Sequence, residues 1–235
     1  MRHSDSYTVM YAAAVTLAVS VVLSVTATSL GPRQQANATM AKRRAILQTV
    51  MPVDAANLER DYETFISERV FSGLGTELAD LRAEEINPRD EVRKSRDQQR
   101  LPVYVFHRDG MKRYIVPLQG AGLWGPIGAH LALEPDLATI AAVAFSHEKE
   151  TPGLGAEIDK PFFEGRFAGK RVRDEQGLRP VVVLRGTGND TSTRPHAVDG
   201  ITGATITLNG VSDMFRNELE RYDAVFANLR KQEQQ

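Results

Sequence analysis

The sequence predicts an α+β fold, with a single N-terminal transmembrane helix and a domain that has a largely antiparallel sheet and flanking helices. Three observations predict this fold. An uncharged apolar run lies near the N-terminus, short strand-like segments follow residue 100, and an amphipathic helical pattern closes the 235-residue chain. We expect an anchor over residues 1–32, a helical and charged connector over residues 33–100, and a folded domain over residues 101–235.

The anchor is predicted by a run of 24 uncharged residues from Tyr7 to Leu30. A helix of this length spans roughly 36 Å, enough to cross a hydrocarbon core of about 30 Å. Gly31 and Pro32 end the run. A cleaved signal peptide is the alternative, although its apolar stretch is usually only about 7–15 residues long. The Lys and Arg residues flanking the run favour a cytoplasmic domain, but long domains translocate largely regardless of charge, so the side stays open.

The connector is polar and has little apolar periodicity. A weak stripe at Ile46, Leu47 and Val50 indicates a short helix that ends before Pro52, because the residue preceding a proline avoids the α region. Residues 80–100 alternate in charge in short blocks, which is typical of a solvated helix or linker. We assign no chemistry to this region.

The sheet is predicted by β-rich runs that are separated by turn signals. Val103, Val105 and residues 114–116 flank Asp109-Gly110, a dipeptide that favours a hairpin turn. Further strands are expected over residues 127–133, 140–145 and 180–184.

The last segment has the periodicity of an α-helix. Its apolar residues recur three or four positions apart, and the opposite face is charged, so we expect the apolar face to pack onto the sheet. The apolar residues are Val211, Met214, Phe215, Leu219, Tyr222, Val225, Phe226 and Leu229.

The composition excludes several kinds of chemistry. The chain has no Cys, so it holds no disulfide, no Cys-ligated metal or iron–sulfur site and no thiol nucleophile. Its 29 Lys and Arg balance 30 Asp and Glu, unlike a protein that coats nucleic acid. The segment after His147 fails the H-E-x-x-H pattern because Thr151 occupies its last position, and no G-x-S-x-G elbow is present. We therefore predict no metal site, no catalytic nucleophile and no nucleic-acid partner.

Three loops carry the residues that point to a ligand. Residues 199–207 are rich in small and hydroxyl side chains and precede the terminal helix, whose N–H groups and dipole suit an anion. The only Trp is flanked by glycines in residues 120–126, where an indole can pack against a planar ligand. The third loop, residues 150–155, reads E-T-P-G-L-G. Each of two loops also has a simpler interpretation. Residues 199–207 fit a turn in which Thr202 or Thr205 caps the helix, and the Trp in residues 120–126 fits a side chain that covers a sheet edge.

In the order G-L-W-G-P, E-T-P-G-L-G and D-G-I-T-G-A-T-I-T, the loops resemble the family of the C subunit of the sodium-translocating NADH:quinone oxidoreductase. The pattern D-x-x-[ST]-G-A-[ST]-x-T is the flavinylation motif of that family. Gly122-Leu123-Trp124 favours it over the related G subunit of the Rnf complex. The tetrad here begins with Thr202, where Ser is commoner.

The resemblance implies that residues 101–235 form an FMN-binding domain. A dedicated flavin transferase, using FAD and a divalent cation, would join the FMN phosphate to Thr205 through a phosphoester bond. The cofactor-binding residues that the resemblance implies are Thr205, Asp199, Thr202, Gly203, Ala204, Leu123, Trp124, Glu150, Thr151, Leu154 and Gly155.

The resemblance also implies a membrane-anchored electron carrier in a translocase, the sodium-pumping NADH:ubiquinone reductase. The chain would cross the bacterial inner membrane once, in contact with lipid and other subunits, with its domain on the periplasmic side. Electrons would enter the FMN from a metal centre in neighbouring subunits and pass to a second flavin subunit. This chain itself would neither bind NADH nor conduct sodium. Two alternatives stay open: the equivalent flavin subunit of an Rnf-type complex, and a non-redox, membrane-tethered binding domain.

Overall fold

The fold is given by a computed structural model, which describes residues 5–234. The chain divides into two compact units, Met1–Lys42 and Arg43–Gln235. The helices are α1 (Asp5–Gln48), α2 (Leu58–Phe65), α3 (Pro88–Glu91), α4 (Pro161–Glu164) and α5 (Thr205–Glu233). The strands are β1 (Ile66–Ser72), β2 (Arg100–Arg108), β3 (Met111–Ala121), β4 (Pro126–Leu133), β5 (Ile140–His147), β6 (Arg173–Asp174), β7 (Gly177–Leu178), β8 (Val182–Val183) and β9 (Ala197–Val198).

Helix α1 can cross a membrane by its length and composition, because it contains an 18-residue window with a mean hydropathy of 2.1 that is fully exposed. Four hydroxyl groups in the apolar run, those of Ser20, Thr26, Thr28 and Ser29, donate to carbonyl oxygens one turn earlier in the helix. Ser20, for example, donates to the carbonyl four residues earlier at 2.8 Å. The apolar run ends at Gly31, but the helix continues through Pro32. Pro32 removes one backbone donor, and the Ala, Gln, Arg and Met residues that follow are good helix formers.

The second unit is built on a five-stranded antiparallel sheet in the order β1-β2-β3-β4-β5. Asp109 and Gly110 both have positive φ, at 52° and 77°, and join β2 to β3, so the predicted hairpin is confirmed. The predicted strands over residues 127–133 and 140–145 correspond to β4 and β5. The largely antiparallel sheet with flanking helices, predicted from the strand and helix patterns, is confirmed.

Strand β1 comes from the region that the sequence predicts to be a connector. It pairs with β2 along its full length. Glu68 and Arg69 lie in the middle of β1 and break the alternation that predicts a strand. Residues 80–100 hold only short elements, namely the 3₁₀ helix Ala83–Glu85 and α3.

The sheet is buried on both faces by side chains that alternate along its strands. In β2, Val103 and Val105 belong to the core shared with α5. Tyr104 and Phe106 belong to a second core, shared with α2 and with residues 46–47 of α1. The predicted stripe before Pro52 is thus buried against the sheet.

Helix α5 packs closely onto β3, and all of its predicted apolar residues are buried. Gly210 permits this approach, since a Cβ there would lie 2.1 Å from the carbonyl oxygen of Ala121. A Cβ on Gly120 would likewise lie 2.7 Å from the Cβ of Met214. The contact places the first turn of α5 beside the β3–β4 loop.

The strand predicted over residues 180–184 is shorter than expected. Only Val182–Val183 pairs, in parallel with Ala197–Val198. Pro180 has no N–H group to donate to a sheet, which shortens the strand at its N-terminal end. The short pair nevertheless holds the segment before Asp199 in place.

Candidate functional site

The three loops singled out in the sequence meet at one cavity of about 400 Å³. This volume lies within the range of roughly 300–1,000 Å³ that is usual for small-molecule sites. The predicted site residues line it, with the exception of Asp199 and Thr202. The lining residues are Leu123, Trp124, Glu150, Thr151, Leu154, Gly155, Gly203, Ala204, Thr205, Ile206 and Thr207.

The cavity is lined mainly by apolar side chains that remain open to solvent. Trp124 is 63% exposed and Ile206 is 58% exposed. Exposed aromatic and aliphatic groups around a concave surface are typical of a site that a ligand covers. Among the residues that the structure describes, Glu150 is the only charged residue in this lining.

The Glu150 carboxylate joins the three loops. It is buried, and it accepts hydrogen bonds from the backbone N–H of Trp124 at 2.8 Å and from the Thr207 hydroxyl at 2.5 Å. Two glycines leave the room that it occupies. A Cβ on Gly122 would lie 2.6 Å from one carboxylate oxygen, and a Cβ on Gly155 would lie 2.4 Å from the other.

The same contacts keep Glu150 ionised. Burial disfavours the charged form, but hydrogen bonds from the Thr207 hydroxyl and from backbone N–H groups of residues 123–125 outweigh it. The pKa of Glu150 therefore lies below its ordinary value. At neutral pH the cavity lining carries one negative charge.

We expect Glu150→Gln to destabilise the folded domain by about 1–3 kcal/mol at neutral pH, because an amide nitrogen would face donors that now meet an oxygen. The carboxylate's contribution is present above the ordinary Glu pKa of about 4.3 and is lost as the pH falls through the lowered folded-state pKa. Urea denaturation of both proteins from about pH 7 to about pH 3 measures the difference and its decline.

The matched control is Glu220→Gln, which changes an exposed carboxylate on α5 that lies 3.5 Å from Arg96. Its effect should stay within about 0.5 kcal/mol, as for most surface substitutions. Equal unfolding free energies for wild type and Glu150→Gln at neutral pH would contradict the structural role of this carboxylate.

Thr205 is the first residue of α5, and it is half-buried in the cavity lining. The interpretation of this segment as a Thr-capped turn is wrong. The N-cap residue is Ala204, no side chain caps the helix, and the hydroxyl of Thr202 instead lies 3.0 Å from that of Thr187. The first turn also has no acidic residue. Its N–H groups and the positive end of the helix dipole are therefore available to an anion beside Thr205.

Gly203 connects this turn to the loop of residues 150–155. Its φ of +83° lies in the left-handed region, which disfavours residues with a Cβ. A Cβ would also lie 2.6 Å from a methyl carbon of Leu154. The G-A-T segment therefore requires glycine at this position for both backbone and packing reasons.

Asp199 lies outside the cavity lining and holds a neighbouring loop. Its carboxylate accepts the backbone N–H groups of Gly188 at 2.9 Å and Asn189 at 3.0 Å. Burial alone would raise the pKa of Asp199, but hydrogen bonds from the side chain and backbone of Asn189 and from Gly188, together with the charge of Arg166, keep it below its ordinary value. A cofactor-binding role for Asp199 and Thr202 stays a prediction.

The residues predicted from sequence did not include Ile206 and Thr207, although both line the cavity. Thr207 occupies the last position of the D-x-x-[ST]-G-A-[ST]-x-T pattern, so the motif itself carried the signal. Within residues 5–234, no group of three His, Asp or Glu side chains is placed to hold a metal ion.

The residues that line the cavity fall within the part of the chain that a known family model matches. A family model described as an FMN-binding domain matches residues 122–220. The C subunit of the Na(+)-translocating NADH-quinone reductase from Pseudomonas aeruginosa is 30% identical, and the alignment covers 99% of this chain and 98% of that protein. The protein of the same name from Yersinia pestis is 28% identical, with 91% and 89% covered.

Two solved structures share the fold. The crystal structure of the C subunit of the Na(+)-translocating NADH-quinone reductase from Parabacteroides distasonis has a TM-score of 0.73 and 33% identity, covering 83% of this chain and 94% of that one. Shewanella oneidensis NqrC has a TM-score of 0.69 at 22% identity, with 85% and 99% covered. At that lower identity the second comparison shows the fold alone.

Proposed function

Because the chain belongs to the family of the C subunit of the Na(+)-translocating NADH-quinone reductase, we propose that it carries one FMN bound covalently to Thr205. In this proposal it is a flavin-binding, electron-transfer subunit of the sodium pump. One observation carries the proposed linkage: the Thr205 hydroxyl group belongs to a residue that both lines the cavity and starts α5. The relatives reported above are C subunits of the sodium-translocating reductase, which favours the sodium pump over an Rnf-type complex.

The residues of the cavity fit FMN. Leu123, Trp124 and Leu154 provide apolar surface for a flat ring system, and Gly203 keeps the approach to Thr205 free of a side chain. The phosphate would be placed at the N-terminus of α5, where free N–H groups and the helix dipole stabilise negative charge. In the described part of the chain no cationic side chain lines the cavity, so the helix terminus is the main partner for this charge.

Bound FMN supplies the electron-transfer chemistry, and the protein supplies position and electrostatics. Glu150 fixes the loop that carries Trp124 to the helix that carries Thr205. Its negative charge opposes the arrival of further negative charge in the cavity, which lowers the reduction potential of a bound redox group. The exposed edge at Trp124 leaves the site open to a protein partner.

We propose the membrane position and the partners of the chain from the same family membership. Helix α1 forms a single span of the bacterial inner membrane, in contact with lipid, and the domain lies on the periplasmic side. Electrons arrive from a metal centre in neighbouring subunits and leave to a second flavin subunit, on the way from NADH to ubiquinone. During maturation, a flavin transferase uses FAD and a divalent cation to modify Thr205.

The test is expression of the full chain in bacteria with and without the flavin transferase, followed by in-gel flavin fluorescence and peptide mass spectrometry. We expect a fluorescent band only with the transferase, and an FMN-sized mass gain on the peptide that contains Thr205. Protease added to intact spheroplasts should remove the fluorescent band if the domain is periplasmic.

The outcomes separate the parts of the proposal. A colourless chain beside a transferase that modifies a known acceptor would overturn the flavin assignment and favour a non-redox binding domain. A fluorescent band that resists protease in intact spheroplasts would overturn the periplasmic orientation while leaving the linkage in place.

A further inference from the structure

Arg166 holds the turn that precedes Thr205, although it lies outside the motif and outside the cavity lining. Its Nη1 donates to the main-chain carbonyl oxygens of Asp199 at 2.9 Å and Gly200 at 2.6 Å. The same atom lies 3.5 Å from the Asp199 carboxylate. The side chain is only 26% exposed, so these contacts are partly shielded from water. The Arg166 guanidinium thus contacts two successive main-chain carbonyl groups and the side-chain carboxylate of Asp199.

The Arg166 guanidinium is itself fixed by aromatic rings. It lies 5.4 Å from the ring centroid of Phe162 and 5.9 Å from that of Phe163. The ring of Phe163 is completely buried, so it forms a rigid support. Arg166 therefore connects the aromatic part of the core to the turn at residues 199–200.

Main-chain contacts hold the same turn from another direction. A Cβ on Gly200 would lie 2.0 Å from the carbonyl oxygen of Leu184 and 2.7 Å from that of Gly186. The Asp199 carboxylate binds the backbone of residues 188–189. Two residues are therefore fixed tightly just before an exposed segment, residues 202–203, that leads to Thr205.

We infer that Arg166 is a positioning residue for flavinylation, which keeps the folded turn in the conformation that the flavin transferase binds. This inference rests on the proposed covalent attachment. In that step the Thr205 hydroxyl oxygen attacks the FMN-side phosphorus of FAD and forms a new P–O bond. The bond from that phosphorus to the bridging oxygen breaks, AMP leaves with the electron pair, and the hydroxyl proton passes to solvent. Arg166 touches none of the reacting atoms.

The expected effect on the kinetics of flavin incorporation depends on the fraction of chains whose turn has the conformation that the transferase binds. When only a fraction of the acceptor has the competent conformation, its apparent affinity falls by that fraction. Loss of the Arg166 contacts should therefore raise the apparent KM for the acceptor chain by about tenfold, while kcat changes by less than about twofold.

The experiment uses the purified full chain without flavin, the transferase, FAD and Mg²⁺, with the initial rate of flavin incorporation measured against acceptor concentration. The main variant is Arg166→Met, which keeps an unbranched stem on the aromatic rings and removes the donors. Arg166→Lys restores a cationic donor and should recover most of the wild-type KM. Arg179→Ala removes an exposed Arg that is paired with Asp174, and it should behave as wild type.

Each result tests the positioning role of Arg166. Thermal unfolding is recorded for every variant, and a folded Arg166→Met with the wild-type KM would overturn the inference. Loss of the folded state in Arg166→Met would also overturn it, because the residue would then support the fold rather than the acceptor turn. Failure of the wild-type chain to gain flavin would instead defeat the proposed attachment, which is a separate result.

Discussion

Thr205→Val is expected to abolish the covalent flavin adduct, because a phosphoester requires the hydroxyl oxygen that Val lacks. Val has nearly the same shape as Thr and is also β-branched, so the start of α5 should be preserved. Thr205→Ser keeps the oxygen and should keep the adduct. Peptide mass spectrometry after co-expression with the transferase measures the adduct directly, and in-gel fluorescence measures its amount.

The control for this substitution is Thr193→Val, which makes the same change at an exposed position away from the cavity. It should leave flavin incorporation unchanged. The attachment site would be wrong if Thr205→Val retained the FMN-sized mass on any peptide. The result is informative because neither Thr202 nor Thr205 caps the helix, so loss of the adduct cannot be attributed to a lost N-cap.

Gly210→Ala is expected to destabilise the domain by about 3 kcal/mol, the upper end of typical overpacking costs. An ordinary Gly→Ala change inside a helix is stabilising by about 0.5–1 kcal/mol, so the expected sign is reversed. The reason is that the new Cβ would lie 2.1 Å from the carbonyl oxygen of Ala121, which is part of the backbone and cannot rotate away. Thermal unfolding should show a fall in Tm of roughly 6–12 °C.

Asn217→Ala provides the matched comparison on the same helix. Asn217 is exposed in α5, so replacement by Ala should follow helix propensity and raise stability by a few tenths of a kcal/mol. A Gly210→Ala variant as stable as Asn217→Ala would show that α5 does not approach β3 as closely as described.

The sequence correctly predicts those elements whose residue pattern lies within a short stretch of the chain. The terminal helix and the β2–β3 hairpin depend on spacing and on one turn dipeptide, and both are found in the structure. The sequence does not predict strand β1, because Glu68 and Arg69 interrupt its alternation and only pairing with β2 makes the segment a strand. The strand predicted over residues 180–184 is reduced to Val182–Val183, and Pro180, which has no N–H group to donate to a sheet, already marks that shortening in the sequence.

The sequence predicts the site as three separate loops, and the family resemblance, rather than any pattern of residues, indicates that they converge. Residues 120–126, 150–155 and 199–207 are far apart in the sequence, and each alone also fits an ordinary turn. The contacts that join them are long-range. Thr207 reaches Glu150, and Arg166 reaches Asp199, across spacings that no local pattern specifies.

The shared carboxylate of Glu150 has a consequence for the energetics of electron transfer. Its two oxygens bind groups on both of the other loops, so displacement of one loop strains the hydrogen bonds of the others. Such a site changes shape little when the charge of its contents changes, because its dipoles are already oriented by the fold. We therefore expect the protein's own share of the reorganisation energy for electron transfer to be small, while the exposed edge at Trp124 leaves the remaining share to solvent.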